Sequence, residues 1–109
     1  MAEKKLINKS GFDMSVVLFV RSGSDPNHSA GHVTVSLPDG DHKTVPYGSS
    51  SDPFLNGIGV RATAKDGGSV VVKREMVTVR GSAWDDTLNT NNTLTIDIVN
   101  SINVKGSNT

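Results

Sequence analysis

The sequence predicts an all-β fold, a single antiparallel β-sandwich of about seven or eight strands that is immunoglobulin-like in architecture. Apolar residues recur at every second position along most of the chain, which is the period of a strand with one buried face. Gly, Pro, Asn and Asp separate these runs, and no long window has the apolar spacing of a helix. The 109 residues suit one domain, spanning 1–109. A jelly roll or small barrel is the alternative, because the Cys…Trp…Cys pattern of immunoglobulin domains is lacking.

The first three predicted strands differ in how they meet the core. The run "MSVVLFV" (14–20) is apolar on both faces through its middle, which predicts a central strand covered on both sides. The run "HVTVSL" (32–37) alternates, and its valines and leucine share one face. The strand at 42–47 contains Pro46, which has no N–H to donate, so we place it at a sheet edge.

The next two runs differ in regularity. "GIGVRATA" (57–64) alternates cleanly, with Ile58 and Val60 on the inner face. "SVVVKREMVTVR" (69–80) changes phase, because Val70 and Val72 share one parity while Val77 and Val79 hold the other. No Gly, Pro, Asn or Asp lies at the change, so the pattern predicts one strand with a β-bulge near residues 73–75.

The C-terminal third carries the only helical signal. "SAWDDTL" (82–88) has a capping serine followed by early acids, which predicts one helical turn. "NTLTIDIV" (92–99) alternates as a strand, and Ile102 and Val104 continue its parity. Segment 100–109 is therefore predicted to add a strand within the chain or between subunits. Edge strands offer a second route to a homo-oligomer.

Strand direction places the long loops together. If successive strands each cross the sandwich once, the loops at 23–31, 48–56 and 81–92 fall at the same end. The dipeptides Asp39-Gly40 and Asp66-Gly67 then form tight hairpin turns at the other end. Long loops at one end of a rigid scaffold are typical of a binding site.

The residues of these loops suggest the ligand. Aromatic rings cover the C–H patches of a sugar, while carboxylates and amides bond its hydroxyl groups. We therefore expect a non-catalytic binding module for carbohydrate or another polar ligand. The candidate ligand-binding residues are Asp25, Asn27, His28, Asp52, Phe54, Asn56, Trp84, Asp85, Asp86 and Asn89.

Simpler interpretations accompany several of these residues. The Ser-Asp-Pro triplet occurs in both of the first two loops, where Asp-Pro is ordinary turn chemistry. Trp84 also suits a plug for the open end of the core. Asp85 and Asp86 are the candidate ligands for calcium, although no EF-hand spacing is present, and no other cofactor is expected.

Composition and the lack of certain motifs argue against several kinds of site, partner and activity. There is no cysteine, and eleven basic residues balance eleven acidic ones, so neither a thiolate metal site nor a nucleic-acid partner is expected. No membrane segment or signal peptide is apparent, which predicts a cytoplasmic or non-classically exported protein. No catalytic constellation appears, so we expect no enzyme.

The expected binding partner is then a glycan or a protein. The alternative function is structural, as a self-assembling subunit of a particle, fibre or inclusion.

Overall fold

A computed structural model of the chain describes residues 2–22, 25–48, 54–64, 67–68, 70–98 and 101–108, with residues 2, 22 and 25–28 described by their backbone alone. This part of the chain forms two packed four-stranded sheets and one short helix, which confirms the all-β sandwich. The elements are β1 (Ala2–Asn8), β2 (Asp13–Ser22), β3 (Asp25–Leu37), β4 (His42–Tyr47), β5 (Leu55–Thr63), β6 (Val70–Met76), α1 (Ala83–Asn89), β7 (Thr93–Ile98) and β8 (Ile102–Ser107). Among the described residues, no helical segment has the length and apolar content to cross a bilayer.

The first sheet has the order β3-β2-β5-β6, and all its neighbours are antiparallel. Strand β2 is central, as predicted, and Met14, Val16 and Leu18 point into the core. The expectation that both of its faces are covered is wrong. Val17 and Phe19 face away from the core and are half-buried by neighbours within their own sheet.

The second sheet has the order β4-β1-β7-β8. Strand β4, which carries Pro46, lies at an edge as predicted. The C-terminal segment adds strand β8 within the chain, antiparallel to β7. The pair β1–β7 is parallel, an exception in an otherwise antiparallel fold. It is possible because the two strands are far apart in sequence and enter the sheet from the same end.

The core lies between the sheets and follows the period-two pattern. Alternate residues of β2, β5 and β7 are buried, including Ile58, Val60, Leu94 and Ile96. Leu88 of α1 closes the core at one end. At the opposite end, the buried Asn8 side chain donates to the carbonyl oxygens of Phe12 (2.7 Å) and Leu37 (2.9 Å), which ties both sheets together.

The segment 69–80 contains no bulge at residues 73–75, so that expectation is wrong. Strand β6 pairs with β5 from Val70 to Met76 without a register shift. Val71, which packs against the core, and the buried Val77 share the inner parity, and the Val77 N–H still donates to the carbonyl of Asn56 in β5 at 2.7 Å. The inner parity is therefore constant, and the apparent change arises because Val70 and Val72 are exposed on the outer face.

Two loop predictions also need correction. Residues 25–31 are the first half of β3, and Ser22 pairs with Asp25, so 23–31 is not a long loop. Asp39-Gly40 does form a tight turn, closed by the N–H of Asp41 on the carbonyl of Pro38 at 3.0 Å. It connects β3 to β4 in the other sheet, so it is not a hairpin. The β5–β6 connection does join antiparallel neighbours, although Asp66 lies outside the described residues.

Candidate functional site

The ends of β2 and β6, the start of β5 and the helix α1 meet at one end of the sandwich, which we call the helix end. Main-chain hydrogen bonds hold this junction, with the N–H of Arg21 on the carbonyl of Phe54 at 2.9 Å. The N–H of Leu55 donates to the Asn89 side chain of α1 at 2.7 Å. The predicted loops 48–56 and 81–92 therefore do share an end, through the described residues 54–56 and 81–92.

Helix α1 is only seven residues long and depends on its caps. Ser82 is the N-cap, and its hydroxyl oxygen accepts the N–H of Asp85 at 3.3 Å. At the other end, the buried ammonium of Lys4 donates to the carbonyl of Leu88 at 2.6 Å and also to that of Asn91. A cation from β1 thus supplies the positive charge that the last turn lacks. Burial lowers the pKa of the Lys4 ammonium.

A buried ion pair joins the helix to the sheet. Arg21 is 2% exposed and Asp85 7% exposed. The Arg21 Nη2 lies 2.8 Å from the Asp85 Oδ1. Arg21 also donates to the carbonyl of Leu55 at 3.2 Å and to the Asn56 Oδ1 at 3.3 Å. A guanidinium with several oxygen partners is the arrangement that offsets the cost of burying its charge.

The Asp85 carboxylate accepts hydrogen bonds from three neighbouring donors. Besides Arg21, the Asn89 Nδ2 donates to its Oδ1 at 2.7 Å and the Gly81 N–H to its Oδ2 at 2.8 Å. Burial alone raises the pKa of Asp85, but the hydrogen bonds from Gly81, Arg21 and Asn89, with the charge of Arg21, outweigh it and hold the pKa below its ordinary value of 3.8. The carboxylate is therefore ionised and fixed in place near neutral pH.

A shallow depression of about 190 Å³ lies over this network, and we call it the dish. Its floor is formed by the Arg21, Asp85 and Asn89 side chains, and its wall by Phe54, whose ring centre is 5.9 Å from the Arg21 guanidinium carbon. The remaining lining residues, Arg80, Asp86 and Thr90, are exposed. The dish thus combines a fixed polar floor, one aromatic wall and an exposed polar rim.

The structure brings together half of the predicted binding residues. Phe54, Asp85, Asp86 and Asn89 line the dish, and Asn56 lies beneath it, bonded to Arg21. The backbone of Asp25, Asn27 and His28 belongs to β3, but their side chains lie outside the described residues, as does all of Asp52.

Trp84 is on α1 but is not part of the dish. Its indole is half-buried against the core, and its Nε1 donates to the carbonyl of Glu75 at 3.2 Å. The ring therefore covers the end of edge strand β6, as the plug interpretation expected.

Asp85 and Asp86 diverge although they are adjacent in sequence. Asp85 is buried against a guanidinium, while Asp86 is exposed on the rim. A calcium ion bound by Asp85 would thus lie next to the guanidinium of Arg21, which already carries a positive charge. Among the described residues, no group of three His, Cys, Asp or Glu side chains is placed to hold a metal ion.

Sequence reasoning missed Arg21, Arg80 and Thr90. Arg21 follows the buried Val20 directly, so alternation predicts that its side chain points outward. Register shifts around residues 19–22 of β2 turn it inward instead. One signal in the sequence pointed to Arg21. It is a cation at the end of an apolar strand, in a chain that has acids in its one predicted helical segment.

The sequence matches no protein-family model and no curated protein, and the fold matches no solved structure. The functional argument therefore depends on the residues themselves.

Proposed function

We propose that this protein is a non-catalytic binding module that holds a carbohydrate or a similarly polar ligand in the dish at the helix end. One observation carries the proposal. Among the described residues of the helix end, an aromatic wall and exposed polar side chains line one depression, and the ion pair of Arg21 and Asp85 fixes its floor.

The ion pair in the floor supports a binding role, because burying two charges contributes little net stability to a fold. An apolar pair of similar volume often stabilises a fold at least as well as a buried ion pair. A charged network does, however, lock side chains and backbone into one geometry. Rigid sites lose less entropy when a ligand binds, which favours affinity.

The rim supports a polar ligand. The Asp86 carboxylate accepts hydrogen bonds from hydroxyl groups, and the Arg80 guanidinium donates to ring or glycosidic oxygens. Phe54 offers an apolar surface for the C–H groups of a sugar ring. The small volume, about 190 Å³, suits one sugar unit or a chain terminus rather than a long buried ligand.

A glycan array probed with and without chelator tests the proposal, using wild-type protein and the variants Phe54→Ala and Asp86→Asn. We expect binding to a subset of glycans that each variant weakens by about tenfold, corresponding to about 1.4 kcal/mol. Lys105→Gln is the matched control, since its side chain is 72% exposed on the other sheet. The proposal fails if no glycan binds, or if folded dish variants bind as wild type does. Loss of binding with chelator alone would assign calcium a role.

The structural alternative is tested separately. One of its motives was a C-terminal strand available for assembly, and that strand is β8, paired along β7 inside the chain. Native mass spectrometry across a concentration series distinguishes the two functions. A stable higher-order species favours the assembly role, and a monomer at all concentrations favours the binding module.

A further inference from the structure

The outer face of the first sheet carries an apolar groove that is separate from the dish. Val17, Phe19, Gly59 and Val72 line it, with an open volume of about 300 Å³. Val72 is 67% exposed, a large value for a valine in a strand. Two arginines, Arg61 and Arg74, also line it, together with Ser15, Val60 and Lys73, and we call this surface the outer groove.

The centre of the outer groove is preorganised. A Cβ atom at Gly59 would lie 3.4 Å from the Phe19 ring, so the ring lies across the position that a side chain would occupy. On the ring, the guanidinium carbon of Arg74 lies 4.8 Å from the centroid. This cation–π contact restrains Arg74 while leaving its guanidinium edge available for hydrogen bonds.

The exposed charged side chains over the outer groove are positive. Arg61 and Arg74 are both exposed, and neither forms an ion pair with a described carboxylate. The one acid on this face of the described strands is Asp13, which is a diagonal neighbour of Arg61 on the side away from Arg74. It lies outside the outer groove, and its Oδ1 accepts the N–H of Asp39 at 3.0 Å. A complementary partner is therefore anionic as well as partly apolar.

The spacing of the two arginines indicates the form of that partner. Arg61 pairs with Val72 and Gly59 with Arg74, so the arginines are diagonal neighbours on adjacent strands. Diagonal neighbours are about 7–8 Å apart, and their Cβ atoms are slightly closer. Alternate side chains of an extended peptide are about 6.7 Å apart, which is a close match.

We propose that the outer groove binds an extended acidic protein segment, in which carboxylates at alternate positions pair with Arg61 and Arg74 and a neighbouring apolar side chain packs on Val17 and Val72. A second copy of this chain fits the surface poorly. A two-fold contact through the groove would place arginines against arginines. The proposal concerns a different face from the dish and does not depend on the glycan proposal.

Amide chemical-shift mapping on the full chain tests the proposal, with a short capped peptide of the pattern Thr-Glu-Thr-Glu-Thr-Leu-Thr as the probe. We expect shifts confined to β2, β5 and β6, and affinity that falls as salt is added. Arg61→Gln and Arg74→Gln should each weaken binding by about tenfold. Lys105→Gln, which removes an equivalent charge from the other sheet, should leave binding unchanged.

Three outcomes would overturn the proposal. One is equal binding of a peptide with glutamine in place of both glutamates. Another is a set of shifts centred outside the outer groove. The third is tighter binding of a short thymidine strand to the same residues, which would identify a nucleic-acid surface instead. Thermal unfolding of each arginine variant confirms that the comparison is made on folded protein.

Discussion

Substitution of Asp85 by Asn tests the network beneath the dish. The change is nearly isosteric, but it removes the negative charge beside the Arg21 Nη2, 2.8 Å away. It also places an amide group where the carboxylate accepted both the Asn89 amide and the Gly81 N–H. One of these donors is then opposed by another donor.

The expected cost is large because Arg21 cannot regain water. Arg21 is 2% exposed, and among the described residues its guanidinium then keeps the neutral oxygens of Leu55 and Asn56 as hydrogen-bond partners. Removing one partner of a buried ion pair typically costs about 3–5 kcal/mol. For a domain whose total stability is about 5–15 kcal/mol, Asp85→Asn should remove a large share of the free energy of unfolding.

Urea unfolding followed by fluorescence measures this loss, since Trp84 is the only tryptophan and lies on the same helix. With a slope of about 2 kcal/mol per molar urea, the midpoint should fall by about 2 M. Asp86→Asn is the matched control, and its exposed side chain predicts a change within about 0.5 kcal/mol. The double variant Arg21→Met with Asp85→Asn should recover part of the loss, because no charge is then left unpaired.

The pH profile provides a second signature of the same pair. Because the pKa of Asp85 is lowered in the folded state, its contribution is present above pH 3.8 and is lost as the pH falls through the lower folded value. Asp85→Asn should remove this acid-dependent component. A loss below about 1 kcal/mol, or a double variant less stable than Asp85→Asn, would refute the reasoning.

Further predictions concern packing and capping, and thermal or urea unfolding checks each of them. Gly57→Ala should cost about 1–3 kcal/mol, because its Cβ would lie 2.8 Å from the carbonyl oxygen of Glu75 in the adjacent strand. Gly59→Ala should be tolerated within about 1 kcal/mol, since its nearest neighbour is the Phe19 ring at 3.4 Å; equal losses at both glycines would contradict the packing argument. Lys4→Met should cost about 1–3 kcal/mol by leaving two carbonyls unpaired at the end of α1, and an unchanged stability would show that water replaces the ammonium.

Local sequence signals predicted the elements whose stability is local. Alternation identified the inner faces of β5 and β7, and Pro46 identified an edge because proline lacks an amide donor. Ser82 and the acids after it predicted α1 through capping and the helix dipole, which act within one turn.

The errors occurred where the environment of a side chain does not follow from its neighbours in sequence. The pattern in 69–80 looked like a bulge because Val70 and Val72 are exposed on the outer face of an edge strand, where an apolar residue does not mark the core. The turn-forming residues at 25–31 lie in β3, where pairing with β2 overrides their local preference. Arg21 was assigned no role, because only a register shift in a formed sheet directs it into the core.

The sequence by itself determined the sandwich class, the inner faces of most strands and the end at which Phe54, Asp85 and Asn89 gather. These follow from the period of apolar residues and from strand direction, which are properties of the chain read in order. Only the tertiary structure decided the pairing of Arg21 with Asp85, 64 positions apart, and the separation of Trp84 from the dish. It also decided that Arg61 and Arg74 lie on neighbouring strands over one apolar groove. Such pairings depend on which strands become neighbours, and hydrophobic periodicity carries no information on that choice.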